Sequence, residues 1–397
     1  MSFYFLTFML LAAGAILEWF RPQYEEKIYW LCWGVMATCL CFRFGQGVDY
    51  ITYHAIYETI PTAIDLSQGY ICGFYPETGW RLLCALFKVF HAPFWVLTMT
   101  MGLAEMLLVH RFLKKYVPMK VAGLFLLYPV LYVTYMVSGL RQGWVMCLFL
   151  GILLPFYLEK KWICYIVGVL VAASFHRVGY AWLVLVIAYY LPVWAMAVLT
   201  GLSIMAGAVL QIGAIEQFIV NLIPAYHVKQ FFLENEISIF AVGERLTTFG
   251  VLFFMYLWLK KKNRPVEYKT ELLLKAYMCG VCFYMLMFGN AYYASRYAVI
   301  FKVVECALVI ALMKEKGIVE KGVYGFFLIL TIVMGCKNLN AMVNTCGYTE
   351  FGKNFLTCPY ISVFNQDAIL EYIPYEERLW EIYGYNIEDQ QLWMIEE

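Results

Sequence analysis

The run Ile28-Tyr-Trp-Leu-Cys-Trp-Gly-Val-Met-Ala-Thr-Cys-Leu-Cys-Phe42, broken at once by Arg43-Phe-Gly-Gln-Gly-Val-Asp49-Tyr-Ile-Thr-Tyr53, sets the character of the chain. The first part carries no charge and reads as a helix inside a bilayer. The second gathers charge, glycine and aromatic rings at the bilayer edge. Gly45 and Gly47 let the backbone turn sharply without a side-chain clash, and a short amphipathic piece continues to about Ile60. Charges in mid-membrane cost about 2.5–3.5 kcal/mol each on insertion scales. Arg43 and Asp49 are therefore expected either to pair or to serve a function.

Outward from this stretch the apolar pattern recurs. Of 397 residues, 63% are hydrophobic and 14% charged, with mean hydropathy +0.68, far from a soluble globular domain. The expected fold class is all-α, a polytopic integral membrane protein. Stretches that fit a bilayer fall near 2–20, 28–42, 93–112, 117–137, 139–158, 162–175, 178–191, 193–212, 246–259, 272–288, 293–313 and 323–334, about twelve spans at roughly 20 residues each with some latitude. The start lacks the basic region of a cleavable signal peptide, so 2–20 reads as the first span. Residues 80–90 are too few to cross and read as a re-entrant or interfacial helix.

Basic residues orient these spans. Arg111, Lys114, Lys115 and Lys120, then Lys160 and Lys161, then Lys260 to Lys262 with Arg264, then Lys314, Lys316 and Lys321 all fall on one side. The positive-inside rule makes that side cytoplasmic and places both termini outside. Arg43, Asp49, Glu77, Arg81, Arg141, His176, Arg177, Glu244, Arg245, Asn290 and Arg296 then share the outer face. Residues 1–337 read as one membrane domain with long outer loops at about 43–91 and 213–245; residues 338–397 read as an acidic soluble tail.

Composition also excludes classes. A net charge of +1 leaves no basic surface for nucleic acid. Most of the 13 cysteines sit in apolar runs, where cysteine acts as a small hydrophobe, and Cys279-x-x-Cys282 reads as helix core. Cys346 and Cys358 lie outside those runs and are candidates for pairing. No Walker loop, zinc-spaced histidines or dinucleotide fingerprint occurs, so no cofactor and no metal are expected.

The candidate chemistry lies in short polar motifs. Tyr50, Tyr53 and Tyr57 share a helical face and suit either sugar stacking or an interfacial aromatic belt. Arg43 with Asp49 fits either a structural salt bridge or a functional pair. Arg141, beside Gln142, stands in the first turn of an apolar helix, where the partial positive charge disfavours a cation unless an anion binds both. Guanidinium can grip phosphate oxygens in a bidentate way; the alternative is an arginine snorkelling to headgroups. His176, next to Arg177, is biased toward the neutral imidazole a general base needs, or is hydrogen-bonded only locally. Arg296, followed by Tyr297, repeats the placement of Arg141, and Glu244-Arg245 reads as an ion pair.

Taken together, Arg43-Phe-Gly-Gln-Gly47-Val-Asp49-x-x-x-Tyr53, Glu77-x-Gly79, Ser138-Gly-x-Arg141-Gln142, Ser174-Phe-His176, Ser295-Arg296-Tyr297 and Pro359-Tyr360 resemble the EpsG-like family of bacterial exopolysaccharide and capsule polymerases. That family is similar to the Wzy-type O-antigen polymerases and, more distantly, to O-antigen ligases with a membrane-embedded C-type glycosyltransferase fold. The resemblance implies a membrane glycosyltransferase that moves a growing glycan from undecaprenyl pyrophosphate onto an acceptor hydroxyl at the outer leaflet, with no nucleotide sugar or metal. It implies that Arg43, Arg141 and Arg296 hold the pyrophosphate, that His176 or Asp49 deprotonates the acceptor, and that Glu77 orients it. Tyr53, Gln142, Arg177 and Tyr297 would line the substrate site. Expected partners are the undecaprenyl pyrophosphate-linked oligosaccharide and membrane lipid, with a chain-length regulator and a flippase beside them. Two other readings are a ligase using similar residues and a lipid-linked glycan flippase, whose charges would sit nearer the midplane on broken helices.

Overall fold

The computed structural model describes residues 3–47, 49–60, 77–213, 215, 219, 237–313, 317–345, 354–356 and 359–367. These are helical throughout apart from connections, with one isolated antiparallel bridge, Arg43 to Ser362. The helices are α1 Phe3–Phe20, α2 Glu25–Cys41, α3 Tyr50–Thr59, α4 Thr78–Val89, α5 Phe94–Tyr116, α6 Lys120–Ser138 and α7 Leu140–Leu158. Then come α8 Trp162–Phe175, α9 Arg177–Tyr190, α10 Val193–Leu210, α11 Ile239–Lys261, α12 Tyr268–Leu286, α13 Ala291–Lys302, α14 Glu305–Leu312 and α15 Ile318–Thr345.

Each expected span falls on a helix. Seven of them (α1, α5, α6, α7, α10, α11 and α15) are long and apolar enough on their own to cross a bilayer, among the described residues. The stretch expected as one span over 293–313 is two helices, broken at Val303-Val304 with Lys302 and Glu305 on either side. A cation at a helix C-terminus and a carboxylate at the next N-terminus both complement the helix dipoles. Helix α4 is the expected short piece: Trp80, Cys84 and Ala85 are buried, while Leu82, Leu86 and the following Phe90 are exposed. Helix α15 runs on past residue 337 to Thr345. Cys346 and Cys358, most of the loop at 213–245 and the acidic residues after 367 lie outside the described residues.

The chain groups into two compact units. The first is Met1–Leu153, Leu170–Arg177 and Phe326–Glu397. Its core is aromatic: the Tyr128 ring lies 5.4 Å from Phe8 and 5.0 Å from Tyr132. The hydroxyls find buried acceptors, Tyr128 on Tyr4 O at 2.6 Å and Tyr132 on Met36 O at 2.7 Å. The Glu18 carboxylate accepts from Val121 N (3.0 Å) and Ala122 N (2.8 Å) and so caps the start of α6. The second half of α6, Tyr128–Ser138, is wound as a π-helix. Pro129 lies at its start and cannot donate a backbone bond; its carbonyl is taken by Thr134 Oγ1 at 3.0 Å and Asn338 Nδ2 at 2.8 Å.

The second unit, Leu154–Val169 with Val178–Gly325, is built on α10 and α12. Gly207 lets α10 approach the Met285 carbonyl, which any side chain at that position would strike. Its interior holds charge. Glu244 on α11 accepts from Arg245 at 2.5 Å and from Lys302 at the end of α13, so the expected Glu244-Arg245 pair is joined by a third residue.

Candidate functional site

Four of the motifs meet in the first unit because glycines let their backbones touch. Gly47 has φ +115°, a conformation that favours glycine, and a methyl there would strike Val137 O and lie 2.9 Å from Ser138 Cα. That contact seats the 43–49 turn against the residues that begin α7. Gly79 does the same for α4: a methyl there would run into Ser174 Oγ and lie 3.1 Å from Phe175 Cδ2, directly before His176. Gly143 brings the first turn of α7 against the Tyr135 carbonyl.

At the centre of these contacts stands Arg141. Its Nη1 donates to Glu77 Oε2 at 2.9 Å and its Nε to Tyr53 Oη at 3.4 Å, while the guanidinium carbon lies 5.4 Å from the Tyr53 ring centre. Side-chain exposure is 13% for Arg141 and 9% for Glu77, so the pair is largely removed from water. The anion required by a cation at a helix N-terminus is therefore present, supplied by the protein. Glu77 immediately precedes α4, yet its carboxylate makes no cap to that helix and turns to Arg141 instead. Beneath them Tyr53 packs on the fully buried Trp80, ring centres 5.6 Å apart.

The remaining predicted residues occupy distinct positions. Gln142 is buried beside Arg141. His176 is half-buried and its N–H donates to Ala172 O at 3.2 Å, closing α8; Arg177, next to it, is exposed. Asp49 is half-buried immediately before α3, and its carbonyl receives the Tyr53 N–H at 2.9 Å, one turn from the Arg141 contact. Arg296 and Tyr297 lie on α13 in the second unit. There the Arg296 guanidinium sits 3.9 Å over the Tyr292 ring, below a helix start capped by Asn290, whose Oδ1 accepts from Tyr293 N at 3.1 Å.

Arg43 is 1% exposed. Its guanidinium donates to Leu40 O and, at 3.0 Å, to Met136 O, while Nε has no partner. The Arg43-Asp49 pairing offered by the spacing is thus replaced by backbone carbonyls, because the turn at Gly45 and Gly47 buries the arginine against α6. Around it, Phe44 N donates to Ile361 O and Val363 N to Phe42 O, each at 3.0 Å, and Gln46 Nε2 to Pro359 O at 2.9 Å. Tyr360 Oη completes the clasp on Cys39 O at 2.9 Å. Pro359-Tyr360 is in this way part of the same construction as the 43–53 motif.

The tyrosine face reads differently from either expectation. Tyr50 and Tyr57 are buried against Phe94 at 5.2 and 5.6 Å, and Tyr57 Oη donates to Ala92 O at 2.6 Å. Burial pushes both phenols up to about 12, so they stay neutral packing groups. Only Tyr53 reaches a motif arginine. Sequence reasoning also missed Glu105, 1% exposed in the middle of α5, whose Oε1 has no partner. A lone carboxylate within an apolar helix was the signal that could have found it.

The comparisons with known proteins follow the same extent of chain. A family model described as EpsG family matches residues 26–361. No curated protein and no solved structure matches the chain.

Proposed function

The chain belongs to the EpsG family, and on that premise we propose that it polymerises lipid-linked oligosaccharide repeat units into exopolysaccharide. The donor is a glycan on a polyprenyl pyrophosphate such as undecaprenyl pyrophosphate, and the acceptor is a hydroxyl of the next lipid-linked unit. In the transfer, the acceptor oxygen forms a bond to the anomeric carbon of the donor glycan and the bond from that carbon to the pyrophosphate oxygen breaks. The electron pair leaves with the pyrophosphate and the acceptor proton passes to a base of the protein. No cofactor takes part.

The observation that carries this reading is the convergence of Tyr53, Glu77 and Arg141 from three separate segments. A permanently charged, forked donor meets a pyrophosphate leaving group, and a fixed cation aimed at developing charge is the usual largest contribution to such catalysis. Arg296 and Tyr297, on the second unit, are further candidate ligands for phosphate and glycan, and the exposed Arg177 is a candidate for the glycan. Arg43 acts as a positioning residue that fixes the 43–49 turn, and Gln142 buttresses Arg141. His176, Asp49 and Glu77 are the candidates to receive the proton. The site faces the outer leaflet, with both termini on that side.

The test is the size distribution of lipid-linked and surface glycan in cells lacking the chain, complemented with wild type or Arg141→Ala at matched membrane levels. A ladder restored by wild type and collapsed to single repeat units by Arg141→Ala is expected. Long chains left on the carrier would make the protein a ligase instead, and a normal ladder with Arg141→Ala would remove the proposed arginine.

A further inference from the structure

We infer that the Glu77-Arg141 ion pair is a latch that the donor lipid opens, so that Glu77 becomes able to accept the acceptor's proton only once the pyrophosphate is seated. The inference rests on the reading of Arg141 as a pyrophosphate ligand and adds an order of events to it.

Arg141 is contested by two anions, Glu77 and the donor's pyrophosphate. Glu77 Oε2 holds Arg141 Nη1 at 2.9 Å in a pocket where both side chains are nearly dry. In that arrangement the Glu77 carboxylate is engaged by the guanidinium and is not offered to an acceptor hydroxyl. An arriving pyrophosphate carries more negative charge than a carboxylate and matches the guanidinium fork. It therefore competes for Arg141, while Tyr53 continues to support the ring side of the guanidinium. Glu77 then loses its cation and gains an anion nearby. Its carboxylate is then released from the ion pair and can meet an acceptor hydroxyl.

The remaining geometry limits where Glu77 can go. It precedes α4, whose Gly79 is packed on Ser174 and Phe175, so the backbone stays in place while the carboxylate swings. An acceptor hydroxyl at that carboxylate delivers its proton to Glu77 as its oxygen bonds to the donor's anomeric carbon. The electron pair of the broken bond stays on the pyrophosphate held by Arg141. Without donor the base remains latched, and the acceptor's hydroxyl is not activated.

The experiment measures binding of farnesyl pyrophosphate, a short polyprenyl pyrophosphate, to the detergent-purified full chain by titration calorimetry in two buffers of different ionisation enthalpy. Glu77→Gln removes the competing charge and is expected to bind about tenfold tighter than wild type, the change that roughly 1.4 kcal/mol of lost competition gives. Wild type is expected to take up more protons on binding than Glu77→Gln does. Binding by Glu77→Gln that is equal to or weaker than wild type, with no difference in proton uptake, overturns the latch and leaves Glu77 a strut for Arg141. If Glu77→Gln does not fold, Glu77→Asp serves: it keeps the charge but shortens the reach, and is likewise expected to bind tighter, with equal or weaker binding overturning the latch. Arg141→Ala separates the two claims. Loss of binding there, without tightening at residue 77, sinks the latch alone; undiminished binding sinks the reading of Arg141 as well.

Discussion

Arg141 Nη1 meets Glu77 Oε2 at 2.9 Å although the two residues stand 64 positions apart in the chain. Each sits at a helix beginning, Arg141 in the first turn of α7 and Glu77 immediately before α4. The partial positive charge of a helix start opposes a cation and welcomes a carboxylate. The pair thus resolves an unfavourable placement with a favourable one, and it leaves the guanidinium at a helix mouth.

Arg141→Lys keeps the charge but loses the planar fork and the stacking on Tyr53, 5.4 Å away. Transfer is expected to fall by roughly a hundredfold, the lower end for losing one positioned donor, with membrane levels unchanged. Tyr53→Phe removes only the hydroxyl at 3.4 Å, a bond whose net worth is about 1 kcal/mol or less. It is expected to reduce transfer less than tenfold. Initial rates on a purified lipid-linked repeat unit would check both, and equal losses in the two variants would contradict the proposed role of the fork.

Gly47→Ala and Gly79→Ala test the assembly of the site rather than its chemistry. A methyl at residue 47 strikes Val137 O, 2.9 Å from Ser138 Cα, on a backbone at φ +115°. A methyl at residue 79 strikes Ser174. Each is expected to cost about 1–3 kcal/mol of stability, read as a lowered thermal midpoint in detergent. Gly34→Ala meets nothing within 4 Å and is the neutral control.

How far the sequence reaches is clear from these same residues. The helices, the short α4 and the placing of Arg141 at a helix start were all readable, because hydropathy and charge report them directly. That Arg141 already has an anion was not, since no spacing rule links residues 77 and 141. Nor could spacing show that Arg43 turns inward to Met136 O or that Tyr50 and Tyr57 pack on Phe94. Those outcomes depend on two glycine contacts between distant segments. The break at Val303-Val304 stayed hidden because the largely apolar run around it contains neither glycine nor proline to mark a helix end.

Arg43 and Glu105 are each 1% exposed and each keeps one unpaired polar atom. The two are not in ion-pair contact, but little water screens charged groups buried this deeply, so they can act on each other over a longer distance. Arg43→Leu and Glu105→Leu are each expected to change stability by about 1–3 kcal/mol. The double variant should fall short of their sum by about 0.5–3 kcal/mol. Strict additivity of the thermal shifts would show that the two charges do not communicate.

In the second unit Glu244 bridges Arg245, at 2.5 Å, and Lys302 at the break between α13 and α14. Its side chain is 2% exposed, so Glu244→Gln leaves two confined cations facing a neutral amide. Such a loss is expected to cost about 3–5 kcal/mol, enough to remove the protein from the membrane fraction. Adding Lys302→Met to Glu244→Gln relieves the repulsion and is expected to restore part of the level. Immunoblots of membranes from cells expressing each variant decide it: normal levels of Glu244→Gln would mean that the cluster does not hold α11 to α13.

The clasp of Pro359 and Tyr360 gives the last expectation. Tyr360 donates to Cys39 O at 2.9 Å, and its ring lies 5.4 Å from Phe3 and 5.8 Å from Tyr4. Tyr360→Phe keeps the rings and loses one neutral hydrogen bond, a change of about 1 kcal/mol. Tyr360→Ala also empties the aromatic contact of a half-buried ring, a larger loss that stays below the roughly 3–5 kcal/mol of a fully buried one. Because Gln46 and Phe44 bond to the same segment, at 2.9 and 3.0 Å, loosening it frees the turn that Gly47 presses on Ser138. Tyr360→Ala is thus expected to shorten the glycan ladder as well as lower stability, while Tyr360→Phe leaves the ladder intact. A ladder unchanged by Tyr360→Ala at normal membrane levels would show that the clasp braces the fold without reaching Arg141.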